Sequence, residues 1–384
     1  WFVQNISEGL VKNNNYDITI FTTNLLKAPH RNNNKIIKNK FEIINGVTIR
    51  RFSIIPLHYF FKIINKIMYR LFNIKNKLNP YLSLLNNGPI SFKMIWSIIK
   101  GDYDIIFTSS INYTALLLGL MPNRYRKNKK FILHGAAHID DYPNKELPLT
   151  IIKLIKQWDY YLANSKYEKD YIINKGFIKK NVIEIGCGVD IKKFTIKNSI
   201  LSKAYNENNK LIVGYIGRVT ESKNINLLLK SIPIIKSKYK DVLFLFAGAF
   251  EPILKNHIEK YLKNDVITID HFKEKDKPKI YNSIDIFVNP SKSESFGITF
   301  IEAWAAKKPV IGTNIGSINS LIKHNQNGFI CDTDDLYDIA DKILILLNDK
   351  NIRTTFGNNG YNFVNKNYSW DIITNKIKNI YDGF

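Results

Sequence analysis

The stretch "NPSKSESFGITFIEAWAAKKPVIGT", Asn289 to Thr313, decides the fold. It follows the apolar run "SIDIFV" and brings a strand-stopping proline, a polar loop, a glycine, a helically spaced segment and a second short apolar run. Strand, helix and strand in that order form the repeating unit of a parallel α/β sheet. Pro290 closes the strand, and Gly297 makes the turn into "ITFIEAWAA". The amides of Ile298 and Thr299 then stand at a helix start with no intrahelical acceptor. They lie above the carboxyl end of the sheet, where such folds bind ligands and where the helix dipole favours phosphate.

Outward from this unit the same alternation recurs. Strands are expected at Asp17–Thr22, Thr48–Phe52, Ile105–Thr108, Lys130–His134, Tyr160–Asn164 and Val182–Ile185. A second set is expected at Leu211–Ile216, Val242–Ala247, Val266–Ile269, Ile284–Asn289, Val310–Gly312 and Gly328–Cys331. Each set suffices for one doubly wound domain, and 384 residues allow two cores of ordinary size. The polar segment "GVDIKKFTIKNSILSKAYNENNK" reads as the connection, which divides the chain into 1–190, 191–367 and a terminal helix over 368–384. That helix has Ser369 as N-cap and apolar residues at Trp370, Ile373, Ile377, Ile380 and Tyr381.

The formal charge is +23, and Arg31 to Lys100 holds 13 basic residues against the single acid Glu42. An anionic partner and a coding bias toward Lys, Asn and Ile explain this equally well. Two cysteines, Cys187 and Cys331, exclude a disulfide framework and a cysteine-rich zinc site, and fit a reducing, cytoplasmic compartment. No run of about 18 apolar residues occurs, so no membrane-spanning helix is expected. Phe60, Ile63, Ile64, Ile67 and Leu71 share one face of the segment Tyr59–Lys77, with Lys62, Lys66 and Arg70 opposite. This is either an ordinary cationic surface helix or one that lies at an anionic membrane.

Several residue groups have chemical promise, each beside a plainer reading. Glu302 lies one turn into the helix, about 6 Å beyond Ile298, a suitable offset for ribose hydroxyls while the helix start holds phosphate. Glu294, on the preceding loop, suits the paired hydroxyls of a sugar. The plainer reading is a solvated pair of glutamates. In "YIGRVTESKN", a buried strand delivers Gly217 and Arg218 to a loop, with Lys223 five residues on. Two cations there neutralise a departing diphosphate, or are simply surface charges of a basic chain. His134, at the end of "KFILH", either meets a sugar hydroxyl or caps the strand; His138 reads as surface.

Taken in order, "HG", "GVDIKKF", "YIGRV" with Lys223, "DIFVNPSKSESFG" and "EAWAAKKPVIGT" resemble the retaining glycosyltransferases of family 4, which have the two-domain GT-B fold. The series spans about His134 to Thr313. The resemblance implies two Rossmann-like α/β domains facing a cleft, with the terminal helix crossing back onto the first. It implies a UDP- or GDP-sugar donor held by the second domain and a glycan or lipid-linked acceptor held by the first, with no cofactor and no metal. Arg218, Lys223, Glu294 and His134 would be catalytic. Gly217, Ser295, Phe296, Gly297, Ile298, Thr299 and Glu302 would bind the donor. Retention of configuration would rest on electrostatic stabilisation and positioning.

The sequence departs from the family at three places. Lys307 stands where a glycine ends the helix, and a lysine in a left-handed cap costs about 1 kcal/mol. The family's Gly-Gly-x-x-Glu loop reads Gly316-Ser317-Ile318-Asn319-Ser320. The chain begins at Trp1, and a strand and glycine-rich loop are expected ahead of it. A non-catalytic GT-B-like protein that binds a nucleotide-sugar or glycan is the competing function. A dinucleotide-dependent dehydrogenase lacks its G-x-G-x-x-G, and a nucleic-acid-binding protein has only charge in its favour.

Overall fold

The computed structural model describes residues 2–14, 16–25, 36–54, 91–111, 118, 128–195, 199–200, 210–262 and 264–384. The basic segment Tyr59–Lys77 lies outside the described residues.

Among the described residues, the first half holds two sheets. Strands β1 (Thr19–Thr23), β2 (Phe41–Ile44) and β3 (Val47–Phe52) are ordered β1-β3-β2. The pair β1 and β3 is parallel, whereas β2 returns antiparallel on β3. The turn between β2 and β3 is Asn45-Gly46, with φ of 49° and 80°, the pairing of residues that a two-residue hairpin of this hand requires. The second sheet is parallel throughout and consists of β4 (Ile105–Ser109), β5 (Lys130–His134), β6 (Tyr160–Ala163) and β7 (Val182–Glu184).

Among the described residues, the second half holds one parallel sheet. Its strands are β8 (Leu211–Ile216), β9 (Val242–Gly248), β10 (Val266–Asp270), β11 (Ile286–Asn289), β12 (Val310–Thr313) and β13 (Gly328–Cys331), ordered β10-β9-β8-β11-β12-β13. Every residue of β9, β11 and β12 is buried. Helices on both faces of a parallel sheet produce this pattern, so its central strands read as unbroken apolar runs. The strand order reverses between β8 and β11, and such a switch point opens a crevice at the carboxyl ends of the strands.

The terminal helix Trp370–Asp382 begins at Ser369, whose hydroxyl accepts from the Ile372 amide at 3.3 Å. It packs on the first half. Tyr381 meets Tyr16 edge-on at 5.8 Å, Phe384 lies 4.8 Å from Tyr160, and Lys376 donates to the Ile185 carbonyl at 3.4 Å. One apolar cluster therefore runs from Leu10, Ile132 and Leu162 through Ile373 and Ile377 to Phe287, Phe300 and Trp304. Buried apolar area on this scale is the main favourable term in folding, at about 25 cal/mol per Å². Among the described residues no helix is long and apolar enough to cross a membrane.

Candidate functional site

The site is built on the ends of β8 and β11 and the helix Ile298–Ala305. Gly297 precedes that helix with φ 94° and ψ 53°, a left-handed conformation natural to glycine. A Cβ there would stand 2.8 Å from the Phe300 ring and 2.9 Å from Ile318. The Phe300 amide donates back to the Gly297 carbonyl at 3.0 Å, and the amides of Ile298 and Thr299 open outward as helix starts do. Phe296 is buried against Tyr368, 5.2 Å between rings, which anchors the loop that carries Ser295 and Glu294.

Glu294 and Lys223 form a half-buried ion pair, Nζ to Oε1 at 2.9 Å. The Lys223 ammonium also donates to the Ser293 carbonyl at 3.2 Å and the Ser291 hydroxyl at 3.4 Å. Its three donors are thereby all engaged. Asn289, at the end of β11, donates to Glu294 at 3.3 Å and lies equally close to the Thr299 hydroxyl. Arg218 follows Gly217 at the end of β8 and is exposed. Its carbonyl accepts from the buried Tyr215 hydroxyl at 2.8 Å. Burial and then the charge of Glu294 push the Tyr215 phenol up, while Arg218 opposes them, so the three groups share one electrostatic neighbourhood. The floor is tight: a Cβ on Gly248, at the end of β9, would stand 1.7 Å from the Gly217 carbonyl oxygen.

Glu302 is 2 % exposed. Lys277 donates to its Oε1 at 2.9 Å, and the Tyr281 hydroxyl donates to its Oε2 at 2.9 Å. Burial raises the Glu302 carboxyl, and the Lys277 charge pulls it back. The Lys277 ammonium is itself raised: burial lowers it, and Glu302 and Glu274 more than offset that. Sequence reasoning missed both partners. Lys277 and Tyr281 are four residues apart on the short helix Lys277–Asn282, the spacing that places two side chains on one face.

His134, expected either to meet a sugar hydroxyl or to cap the strand, is enclosed at the end of β5. It is 2 % exposed, with Nε2 2.7 Å from Asn164 Oδ1 and Nδ1 3.0 Å from the Ser109 hydroxyl. Phe2 stacks on it at 4.2 Å, and burial lowers its pKa to about 4, so the ring is neutral. His138, read from the sequence as a surface residue, is 43% exposed along its side chain and reaches the second half. Its Nδ1 lies 3.4 Å from the Ser293 hydroxyl, beside Glu294.

The departures from the family pattern also have structural outcomes. Lys307 has φ 57°, so the helix does end in a left-handed lysine, whose ammonium lies 4.8 Å over the Tyr361 ring. Ser320, in place of the acid, bonds the Gly316 carbonyl and receives the Tyr167 amide at 3.3 Å. The Tyr167 ring fills the space where a Cβ on Gly316 would stand. An Asp-x-Asp, Asp332 to Asp334, follows β13; Asp332 accepts the Asp334 amide and Asp334 pairs with Lys292. No three potential metal ligands converge among the described residues.

Residues 197–363 match the family model described as glycosyl transferases group 1. The capsular polysaccharide biosynthesis glycosyltransferase CapM of Staphylococcus aureus is 33% identical over 58% of this chain and 61% of its own length. The chain thus matches about three fifths of that relative. Among solved structures, sucrose-phosphate synthase of Thermosynechococcus elongatus superposes with a TM-score of 0.72 at 19% identity, over 100% of this chain and 92% of its own. Anabaena HepE, solved with UDP and glucose, gives 0.65 at 17% identity, over 88% and 87%. These likenesses show a GT-B fold.

Proposed function

We propose that this chain, whose residues 197–363 match the model of the glycosyl transferases group 1 family, moves a hexose-type sugar from a nucleotide-diphosphate-sugar to a glycan or lipid-linked acceptor, with retention and without a metal. Cell-surface polysaccharide synthesis is the setting that the capsular relative suggests. One observation carries the reading: the open helix start at Ile298 and Thr299 stands beside the Lys223–Glu294 pair and the exposed Arg218, at the switch point of the sheet.

In this reading residues 191–367 hold the donor. The amides after Phe296 and the Arg218 guanidinium take the diphosphate, and Glu302, held by Lys277 and Tyr281, accepts from the ribose hydroxyls. A phosphate that reaches Lys223 exchanges for one of its present acceptors, which frees Glu294 for the donor sugar. As the leaving oxygen gains charge, the fixed cations and amides stabilise it without reorganising. The acceptor, held by residues 1–190, attacks from the face that the diphosphate leaves. The basic excess of residues 31–100 then serves an anionic or lipid-linked acceptor at the inner membrane face. Charge reversal at Lys62, Lys66 and Arg70 should abolish binding to anionic vesicles, and unchanged binding rejects that part.

Calorimetric titration with UDP, GDP, ADP and their hexose conjugates tests the donor assignment. Selective binding that Arg218→Ala weakens by about tenfold supports it, in line with the loss of one charged hydrogen bond. No binding by any nucleotide rejects it and favours the non-catalytic alternative. Two features favour that alternative: Lys223 and Glu294 already satisfy each other, and Ser317 and Ser320 replace a glycine and an acid of the family loop.

A further inference from the structure

Glu168 is wholly buried and outside the machinery described so far. It sits in the first turn of the helix Lys166–Asn174, whose N-cap Ser165 accepts the Glu168 amide at 3.2 Å. A glutamate at this position often reaches back to the cap amide, but here the side chain does otherwise. Its Oε1 accepts from the Ala137 amide at 2.9 Å and the Tyr161 hydroxyl at 2.6 Å, and its Oε2 accepts from the Asn164 amide at 2.8 Å. Three donors on one buried carboxylate fix its place.

The segment that it fixes is the loop after β5. A Cβ on Gly135 would stand 1.8 Å from the Tyr161 hydroxyl and 2.3 Å from Glu168 Oε1, so only glycine fits against this cluster. Ala136 takes φ 50°, a conformation that surrounding contacts must impose on a residue with a side chain. Ala137 then gives its amide to Glu168, and the next residue, His138, reaches Ser293 at 3.4 Å. The Ser293 carbonyl accepts from Lys223, and Glu294 is the following residue. A chain of direct contacts thus links a buried carboxylate of the first half to the ion pair of the second.

We propose that Glu168 is a positioning residue of the transfer site, which holds the Gly135–His138 loop so that His138 closes across the cleft beside the Lys223–Glu294 pair. The catalytic part of this inference rests on the function proposed above; the mechanical part does not. In Glu168→Gln one of the three donors faces an amide NH₂ instead of an oxygen, and the loop loses a tether without losing volume.

The test has two arms. In the first, the imidazole signal of His138, assigned through His138→Gln, is followed by NMR. Ser293→Ala should shift it in the wild-type background and leave it unmoved in Glu168→Gln. Glu168→Asp, which keeps the charge but retracts the carboxylate by one methylene, should behave like Glu168→Gln and serves if that variant does not fold. Equal shifts in all backgrounds, or no shift in the wild type, overturn the proposal. In the second arm, release of UDP from UDP-glucose should fall at least tenfold in Glu168→Gln and in His138→Ala, with UDP affinity unchanged. The double variant should be no worse than either single one, because both act through one contact. Additive losses overturn the catalytic part. A wild type that neither binds nor cleaves any sugar nucleotide rejects the proposed function instead, and the NMR arm still decides whether Glu168 positions His138.

Discussion

Replacing Lys277 with methionine removes the charge facing Glu302 while keeping most of the stem. The pair is enclosed, with side chains 17% and 3% exposed. Breaking a buried pair on one side costs about 3–5 kcal/mol, because the other charge is left without compensation. A carboxylate has an escape, since it can take up a proton. Starting from the ordinary value of 4.5, protonation at pH 7 costs about 3.4 kcal/mol and at pH 5.5 about 1.4 kcal/mol. Burial already raises Glu302 in the intact protein, so the pH-dependent part of the loss stays below these ceilings. We expect Lys277→Met to lose about 2–3 kcal/mol at pH 7 and about 1 kcal/mol at pH 5.5. The sign follows from a carboxyl raised further in the variant: it binds its proton in the fold and sheds it on unfolding, so stability falls as pH rises above 4.5. Urea unfolding at the two pH values measures the difference. A loss that is equal at both, or larger at pH 5.5, refutes the reasoning. A protonated Glu302 also accepts more weakly from ribose hydroxyls, so nucleotide affinity at pH 7 should drop about tenfold.

Gly248→Ala drives a methyl group into the Gly217 carbonyl at a backbone φ of 147°. It should cost about 2–4 kcal/mol in urea unfolding and weaken nucleotide binding, because the Gly217–Arg218 loop has to move. Ser369→Ala removes the hydroxyl that caps the terminal helix and should cost about 1 kcal/mol, read as a lower Tm. Burial raises the Glu168 carboxyl to about 7, against its three hydrogen bonds, and its charge in turn raises Tyr161 and Cys187 beside it. Its folded value lies above its unfolded one, so its contribution is complete below about pH 4.5 and is lost as pH rises through 7. Between those limits the wild type should lose about 3 kcal/mol relative to Glu168→Gln; parallel stability profiles for the two proteins count against the assignment.

The second half was readable in the sequence because most of its strands are buried on both faces. Leu211–Ile216 and Gly328–Cys331, and within a residue or two Val242–Gly248, Ile286–Asn289 and Val310–Thr313, stand as apolar runs between helical segments, whereas the edge strand Val266–Asp270 exposes Thr268 and Asp270. The first half yielded less. Strand Phe41–Ile44 is exposed at three of its four positions, so periodicity could not reveal it, although Asn45-Gly46 is a hairpin signal that local composition does carry. At the site, loop positions such as Gly297, Arg218 and Glu294 were accessible because turn chemistry and strand ends are local. The partners of Glu302 were not, since Lys277 and Tyr281 lie 25 and 21 residues away and reach it only through tertiary packing. The two histidines show the same limit. His134 and His138 are equally polar in sequence, and only Phe2, Asn164 and Ser109 around the first, and Ser293 opposite the second, decide which is enclosed and which faces the cleft.

The central claim is that a sugar nucleotide's diphosphate sits on the helix start at Ile298. Amide hydrogen exchange, resolved to peptides and run with saturating UDP, GDP or ADP, tests it most directly. A bound diphosphate should slow exchange at Ile298 and Thr299, and in the Gly217–Lys223 loop, by at least tenfold while the first half changes little. Protection confined to the first half, or nucleotide binding that leaves the amides of Ile298 and Thr299 exchanging freely, would contradict it.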